Sequence, residues 1–340
     1  MRRIQGLGLL LMMVFGVGAA ADEVYLNNGS MLIGTLVSAE ADLVVFDTPF
    51  AGKISIKEEN IARVVTDSTV TLKMEDGRIL RDREIDSSGG QLVARGGGEP
   101  EVLFAATDIE LINPEPWQLG DGYKWSGEFS AALETERGNS DSDEWDFIGR
   151  SVWRSLTDRY TIRYNQEIDE NNGDKTTDNW LGQMKYDRFF KGDTENYWGV
   201  SARFEYDRFQ DLDLRTTVGP YLGRRFLNTP DLTIIGELGP VYVDEQFDVA
   251  EDNDYPGALW DLNVTSEILG FGTTLYLEHD GILNMDSPDD LILNTRFGIK
   301  MPLILGFETR FEGLWEYDGG AQDDVDDLDE TYNFRIGYTW

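Results

Sequence analysis

The sequence predicts an all-β protein in which a small tandem β domain precedes an antiparallel transmembrane β-barrel of about 12 strands. Three observations support this prediction. From Tyr123 onward, long stretches of the chain alternate apolar with polar residues. The connections between these stretches are alternately long and acidic, and short. The last stretch ends on an aromatic residue, Trp340.

The N-terminal segment has the features of a secretory signal peptide. Arg2 and Arg3 are followed by an apolar stretch over residues 7–17, and three alanines at 19–21 offer a cleavage site before Asp22. An apolar run of about 11 residues is too short to cross roughly 30 Å of hydrocarbon. Residues 1–21 are therefore expected to be a signal peptide. No later segment is apolar over about 18 consecutive residues, so no membrane helix is expected.

Composition excludes one class of partner. The chain has 64 acidic and 29 basic residues, which gives a formal net charge of −35. Binding nucleic acid through its phosphates needs the opposite sign, so nucleic acid is not an expected partner. The sequence contains no cysteine. An exported fold without cysteine cannot be stabilised by disulfides.

An internal repeat with an offset of 48 residues occupies the first part of the mature chain. Matching positions include Val24 with Leu72, Leu26 with Met74, Gly29 with Gly77, Ile61 with Ile109, and Val64 with Ile112. Each copy alternates apolar residues around a hairpin signal, "NNG" or "EDG". We expect a periplasmic domain over residues 22–112 that resembles two SH3- or Sm-like β modules in tandem. The proline-containing segment 113–121 then reads as a linker.

The barrel prediction for residues 122–340 rests on strand length and alternation. In the first stretch Tyr123, Trp125 and Phe129 share one face, whereas Lys124 and Glu128 share the other. The remaining stretches are centred near 144–156, 160–168, 179–190, 195–208, 214–226, 232–243, 258–268, 273–283, 291–301, 307–317 and 331–340. A soluble β-sandwich also alternates, but its strands are usually about 5 or 6 residues long.

The connections differ in length and charge. Those after odd strands are long, at 137–143, 169–178, 209–213, 244–257, 284–290 and 318–330. Those after even strands are short, at 157–159, 191–194, 227–231, 270–272 and near 303–306. The six long connections hold 24 of the 64 acidic residues and two basic ones, Arg137 and Lys175. Short periplasmic turns and long outer loops are typical of outer-membrane barrels, so an acidic outer rim is expected.

The closing stretch alternates most clearly. Its aromatic and apolar face consists of Tyr332, Phe334, Ile336, Tyr338 and Trp340. The ending on Tyr338 and Trp340 resembles the C-terminal signal that is read by the barrel-assembly machinery. That resemblance implies the assembly machinery and periplasmic chaperones as transient partners.

A family resemblance starts at the first barrel strand. Gly122-Tyr123, Trp125 and Gly127, followed by Gly138-Asn139-Ser140-Asp141, resemble the bacterial salt-induced outer membrane protein family. The resemblance covers roughly residues 120–340. It implies a Gram-negative outer membrane location in contact with lipid and lipopolysaccharide, and a role in salt or envelope stress. It supplies no catalytic residues, because the family's domain has no assigned function.

His279, the single histidine, lies in "LEHDG" and raises the alternative of a lipid hydrolase. Its neighbours Glu278 and Asp280 should point to the opposite face of a strand. Gly281 occupies the next position on the face of His279, and Ser266 could reach it only through a favourable register. A histidine at the membrane interface is therefore the preferred interpretation, and no enzyme activity is predicted.

The acidic loops are weak candidates for divalent cations. Asp323, Asp324, Asp326 and Asp327 offer the carboxylate oxygens that Ca²⁺ and Mg²⁺ prefer, but without EF-hand spacing. A diffuse layer of Ca²⁺ or Mg²⁺, bridging the loops to lipopolysaccharide phosphates, is the preferred interpretation. No cofactor is expected.

Charged residues on the polar face should line the lumen. The main candidates are Glu128, Arg150, Arg154, Arg163, Arg203, Arg215, Arg225, Glu237, Arg296 and Arg310. A barrel of about 12 strands lies between small filled barrels and open channels. Two interpretations stay open: a narrow porin-like pore for small solutes or ions, and a structural barrel whose lumen is filled by ion pairs. In the second case the N-terminal domain would dock a periplasmic partner or peptidoglycan.

Overall fold

The computed structural model describes residues 21–40, 43–88, 91–98, 100–136, 142–229, 231–320 and 327–340. The chain divides into two compact units, with the boundary between Pro114 and Glu115. Residues 1–20 of the expected signal peptide and the candidate metal residues Asp323, Asp324 and Asp326 lie outside the described residues. Over the described part of the chain, no helix is long and apolar enough to cross a membrane.

The N-terminal unit contains two copies of a five-stranded pattern. The first copy consists of β1 (Asp22–Leu26), β2 (Met31–Glu40), β3 (Leu43–Thr48), β4 (Gly52–Lys57) and β5 (Ile61–Val65). The second consists of β6 (Val70–Met74), β7 (Ile79–Ser88), β8 (Gln91–Gly96), β9 (Val102–Ala105) and β10 (Ile109–Ile112). The repeat seen in the sequence therefore corresponds to a repeat of strands.

The two copies share one small barrel. Its closed ring runs β1-β2-β10-β6-β7-β5 and returns to β1. Strand β5 of the first copy pairs with β7 of the second, and β10 of the second pairs with β2 of the first. Val24, Phe46, Leu72 and Met74 form the centre of the shared core. Neither copy closes by itself, a detail that the repeat alone does not reveal.

A buried carboxylate at the start of this unit joins distant backbone segments. Asp22 is 1% exposed and accepts a hydrogen bond from the Leu36 amide at 2.7 Å. The amides of Asp67 and Ser68 both donate to its other oxygen at 3.0 Å. A carboxylate that accepts several amide hydrogen bonds can be buried at low cost, because its charge remains solvated by the backbone.

The second unit is a closed antiparallel barrel of 12 strands, as predicted. Its strands are β11 (Lys124–Glu136), β12 (Ser142–Arg154), β13 (Asp158–Asn171), β14 (Asp174–Phe189), β15 (Asn196–Asp207), β16 (Leu212–Thr229), β17 (Leu232–Phe247), β18 (Asn253–Ser266), β19 (Thr274–Asn284), β20 (Leu291–Pro302), β21 (Phe307–Asp318) and β22 (Leu328–Thr339). A short 3-10 helix, Pro116–Leu119, precedes β11. Glu115, which precedes this helix, accepts a hydrogen bond from Lys124 Nζ at 2.9 Å. This hydrogen bond holds the pKa of Glu115 below its usual value.

The two faces of the barrel wall differ in polarity. Outward-facing apolar side chains are exposed, including Leu133 (65%), Leu238 (63%) and Tyr332 (70%). Inward-facing charged side chains are buried, including Arg203 and Arg310 (both 5%). Apolar groups outside and charges inside are the reverse of a water-soluble barrel and fit a wall that faces lipid.

Several predicted long connections are shorter in the structure. Within 169–178, β13 and β14 continue to a two-residue turn, Asn172 and Gly173, both at positive φ. Within 244–257, β17 and β18 leave only residues 248–252 between them. The predicted contrast in loop length is therefore wrong for these connections. The alternation of apolar and polar residues weakens where the strands become polar. The sequence pattern therefore assigns the polar ends of these strands to the loops.

The seam that closes the barrel is short. Strands β11 and β22 pair at four described positions, from Glu128↔Thr339 to Ala131↔Ile336. Beyond them Gly127 and Trp340 exchange backbone hydrogen bonds of 3.0 and 3.1 Å. The indole of Trp340 covers Gly127, where a Cβ would lie 2.5 Å from Cζ2. Trp340 also meets Trp125 edge-on, with ring centroids 5.5 Å apart.

We predict that Gly127→Leu destabilises the barrel by about 1–3 kcal/mol, because the new side chain displaces Trp340 from the seam. The measurement is urea-induced unfolding in micelles, followed by tryptophan fluorescence. Gly149→Leu on the adjacent strand is the matched control, because a Cβ at Gly149 would lie 4.0 Å from its nearest neighbour, the Tyr164 carbonyl oxygen. Equal unfolding curves for the two variants would contradict the packing role of Gly127.

Candidate functional site

The charged interior of the barrel is the candidate functional site, and its central feature is an ion pair across the lumen. Arg163 on β13 donates through Nη2 to Oε2 of Glu278 on β19, at 2.9 Å. These strands lie six positions apart in a ring of 12, on opposite sides of the barrel. Arg296 on β20 approaches the same carboxylate to 3.7 Å. The side chains of Arg163 and Glu278 together therefore cross the full width of the lumen.

A second crossing lies beside the first. Arg203 on β15 donates through Nη1 to Asp280 on β19 at 2.7 Å, and through Nη2 to Glu205 at 2.7 Å. Asn294 donates to the same Asp280 oxygen at 3.0 Å. We call Arg163, Arg203, Glu278, Asp280 and Arg296 the mid-barrel layer. The cavity that adjoins this layer has a volume of about 50 Å³.

A network of carboxylates and tyrosines lies between this layer and the rim where the chain enters and leaves the barrel. Glu237 on β17 accepts from Lys185 on β14 and from the Tyr197 hydroxyl, the latter at 2.7 Å. Asp187 accepts from Arg159 Nε at 2.6 Å and from the Tyr221 hydroxyl. Both carboxylates are buried and hydrogen-bonded, which is what makes a buried charge tolerable.

Two inward-facing glycines make room for the tyrosine rings of this network. A Cβ at Gly223 would lie 2.2 Å from the ring of Tyr197. A Cβ at Gly199 would lie 2.4 Å from the ring of Tyr221. The rings therefore lie flat over neighbouring strands and fill the lumen near the wall. Small residues at these positions are a packing requirement.

A third group of ion pairs lies beside the seam. Arg310 on β21 donates to Glu128 on β11 at 2.7 Å and also to Glu308. Arg335 on β22 donates through Nε to Glu312 at 2.7 Å and pairs with Asp146 on β12. These contacts reach over the short β11–β22 ladder. They stabilise the closure from the inside.

The half of the lumen toward the opposite rim contains an anionic cavity of about 370 Å³. Its carboxylates are Glu167, Glu205, Asp207, Glu316, Asp318, Asp327, Asp329 and Glu330. Arg215 is the single basic side chain among the described residues that line it. It donates to Glu245 at 2.6 Å and to Asp318 at 2.8 Å. We call this cavity the acidic vestibule.

The sequence-predicted lumen residues occupy different parts of this interior. Glu128, Arg163, Arg203, Arg215, Glu237, Arg296 and Arg310 belong to the ion pairs described above. Arg150 lies in register between Glu128 and Arg163 on neighbouring strands. The Arg154 guanidinium stacks over Phe189 at 3.4 Å from the ring centroid. Arg225 is in register with Ile235 on β17.

The remaining sequence-predicted residues lie outside the lumen or at its rim. Tyr338 and Trp340 stack on the outer face near the seam, with ring centroids 6.2 Å apart. Asp327, the described member of the metal candidates, lines the acidic vestibule. Within the described residues, no group of three or more metal-ligating side chains is arranged to hold an ion.

His279 lies on the outer face, where the hydrolase alternative finds no support. Its Nδ1 is 2.9 Å from Thr295 Oγ1, and its Nε2 accepts from Trp260 at 3.2 Å. Glu278 and Asp280 point into the lumen and pair with arginines. Ser266 donates to the Asp231 carbonyl at 3.0 Å. Among the described contacts of His279, the Thr295 hydroxyl is the one group of nucleophile type, and no carboxylate orients the imidazole as a catalytic triad requires.

Sequence reasoning missed several residues of the interior. The predicted lumen residues do not include Asp187 or the inward-facing Tyr197 and Tyr221. Glu278 and Asp280 enter the sequence prediction only as neighbours of His279. Strand parity could have found all five, since each lies on the polar parity of its strand. The aromatic rings hid this signal, because tyrosine reads as an outer-face residue.

The closed barrel, apolar outside and charged inside, defines a transmembrane β-barrel of the outer-membrane type as the class of protein. The model of a family described as "protein of unknown function, DUF481" matches residues 128–340. The chain belongs to this family. No curated protein sequence matches the chain.

Solved structures with a similar fold differ strongly in sequence. The NanC porin is 13% identical, over 64% of this chain and 99% of its own, with a TM-score of 0.40. The β domain of the Bordetella autotransporter BrkA is 13% identical, over 64% of this chain and 98% of its own, with a TM-score of 0.30. The outer membrane channel DcaP of Acinetobacter baumannii is 9% identical, over 94% of both chains, with a TM-score of 0.33.

We predict that Gly223→Val lowers the free energy of unfolding by about 1–3 kcal/mol, because the added methyl groups overlap the Tyr197 ring. The measurement is urea unfolding of the refolded protein. In a Tyr197→Ala background the same substitution should cost less, because the overlapping ring is absent. An identical cost in both backgrounds would rule out the proposed contact between these two positions.

Proposed function

We propose that the protein is a non-enzymatic outer-membrane barrel whose lumen is closed at mid-height, so that solutes do not pass freely in this state. The observation that carries this proposal is the Arg163–Glu278 pair between strands on opposite sides of the barrel. The Arg203–Asp280 pair supports it, since it crosses the lumen at a neighbouring position. This is the structural alternative of the two interpretations that the sequence left open.

Charge complementarity supports closure. The mid-barrel layer combines three arginines with two carboxylates, so each charge has an opposite partner within the lumen. Charges buried away from water interact strongly and are weakly screened by salt. Opening a path requires both partners of a pair to find new partners or water. The layer therefore favours the closed lumen at rest.

The second candidate function is porin-like passage of small cations. The acidic vestibule favours it, because eight carboxylates against one arginine would concentrate cations at one end of the lumen. Passage would then require rearrangement of the mid-barrel layer. A filled barrel and a cation path therefore make opposite predictions for the resting protein.

We further propose an orientation in the outer membrane of a Gram-negative bacterium. The rim at which the chain enters and leaves would face the periplasm, together with the N-terminal unit. Trp125, Trp340 and Tyr338 would lie at this membrane interface. The opposite, acidic rim would face outward and bind lipopolysaccharide through divalent cations. We also propose that the protein acts in salt or envelope stress. Its N-terminal unit would dock a periplasmic partner or peptidoglycan.

Planar-bilayer recording tests the closed lumen. We predict that the wild-type protein gives no step-like conductance above the lipid baseline. The double variant Arg163→Ala/Glu278→Ala should give discrete openings, because both side chains that cross the lumen are shortened. Lys175→Ala/Asp178→Ala is the matched control, since it removes an ion pair of 2.7 Å next to the β13–β14 turn. This control should remain closed.

Stable wild-type openings as large as those of the double variant would contradict the closed lumen. Cation selectivity of such openings would support the second candidate function instead. Refolding of each variant is verified by its shift in electrophoretic mobility on heating.

A further inference from the structure

The N-terminal unit contains a cavity of about 350 Å³ between the two sequence copies. Strands β2 and β10 line one side, and β5 and β7 line the other. Equivalent residues of the two copies face it in pairs: Ala39 and Ser87, Val44 and Leu92, Ile61 and Ile109, Val64 and Ile112. The cavity is therefore a product of strand exchange between the copies.

Most of the side chains that line the cavity are apolar, and the innermost of them belong to the core of this unit. Leu36 and Ile85 are both 2% exposed, and Val44 and Leu92 are buried beside them. Volumes of about 300–1,000 Å³ with mostly apolar walls are typical of small-molecule sites.

Four carboxylates lie at the edge of the cavity: Glu40, Glu58, Glu75 and Glu110. Among the described residues that line it there is no lysine or arginine. Lys73 pairs with Glu110 at 2.6 Å from outside the lining, which neutralises one of the four. The edge of the cavity is therefore negatively charged.

We propose that this cavity binds a cationic amphiphile, in which a compact apolar group carries a primary ammonium. The apolar group would pack against the apolar side chains from both copies, and the ammonium would lie among the carboxylates. Charge complementarity selects against anionic amphiphiles of the same shape. This inference is independent of whether the barrel lumen is open or closed.

The test uses the full-length protein in nanodiscs of zwitterionic lipid, with 4-phenylbutylammonium as the probe and 4-phenylbutyrate as the anion of similar shape. Isoleucine δ-methyl NMR reports the site, because Ile61, Ile85, Ile109 and Ile112 line the cavity. We expect the cation to shift these methyl signals and to bind about tenfold more tightly than the anion. Ile148 in the barrel should not shift.

Two variants separate the wall from the charge. Ala39→Phe fills the cavity and should abolish the methyl shifts. Glu58→Gln/Glu75→Gln changes two exposed side chains and should weaken cation binding several-fold, while binding of the anion becomes tighter because two repelling charges are removed. Glu59→Gln/Glu84→Gln removes the same charge away from the cavity and should bind as the wild type does. Equal affinity for both probes, or unshifted isoleucine signals with the cation, would overturn the proposal.

Discussion

The barrel interior depends on the ion pair between Arg163 and Glu278. A ring of 12 strands is wide enough that backbone pairing alone leaves an opening at its centre. An arginine and a glutamate from opposite walls are long enough to meet there, at 2.9 Å. Once they meet, the remaining charges must arrange around them, because an unpaired charge in this interior would be costly. Arg296, Arg203 and Asp280 complete that arrangement.

Packing near the wall follows from the same constraint. Side chains that reach the centre leave space beside the strands, and Tyr197 and Tyr221 fill it over Gly223 and Gly199. Their hydroxyls then donate to Glu237 and Asp187, which also receive hydrogen bonds from Lys185 and Arg159. Each glycine leaves the space in which a tyrosine ring lies, and this position of the ring allows its hydroxyl to donate to a carboxylate.

Much of the fold was predictable from the sequence, because the period of two in a strand is a local property. The number of barrel strands and the repeat of the N-terminal unit both follow from it. Strand ends near the acidic rim could not be located, since polar residues on both parities erase the alternation in 169–178. The exchange of β5 and β10 between the copies was also hidden, because each copy would bury similar residues in either arrangement.

The sequence predicts which residues face the lumen, but it does not predict which of them form ion pairs with one another. Parity identified Arg163 as a residue of the polar face, but its partner lies 115 positions further along the chain. Which charges meet depends on barrel closure and on the tilt of the strands, and no local pattern encodes these. His279 shows the reverse case: a Glu-His-Asp sequence suggests catalysis, yet the alternation of a strand separates its members onto two faces.

A double-mutant cycle tests the central ion pair most directly. Unfolding free energies are measured in urea for the wild type, Arg163→Ala, Glu278→Ala and the double variant. A direct pair across the lumen predicts a favourable coupling energy of about 1–3 kcal/mol between the two positions. Additive effects, with a coupling energy near zero, would contradict the account, because they would mean that the two side chains do not meet.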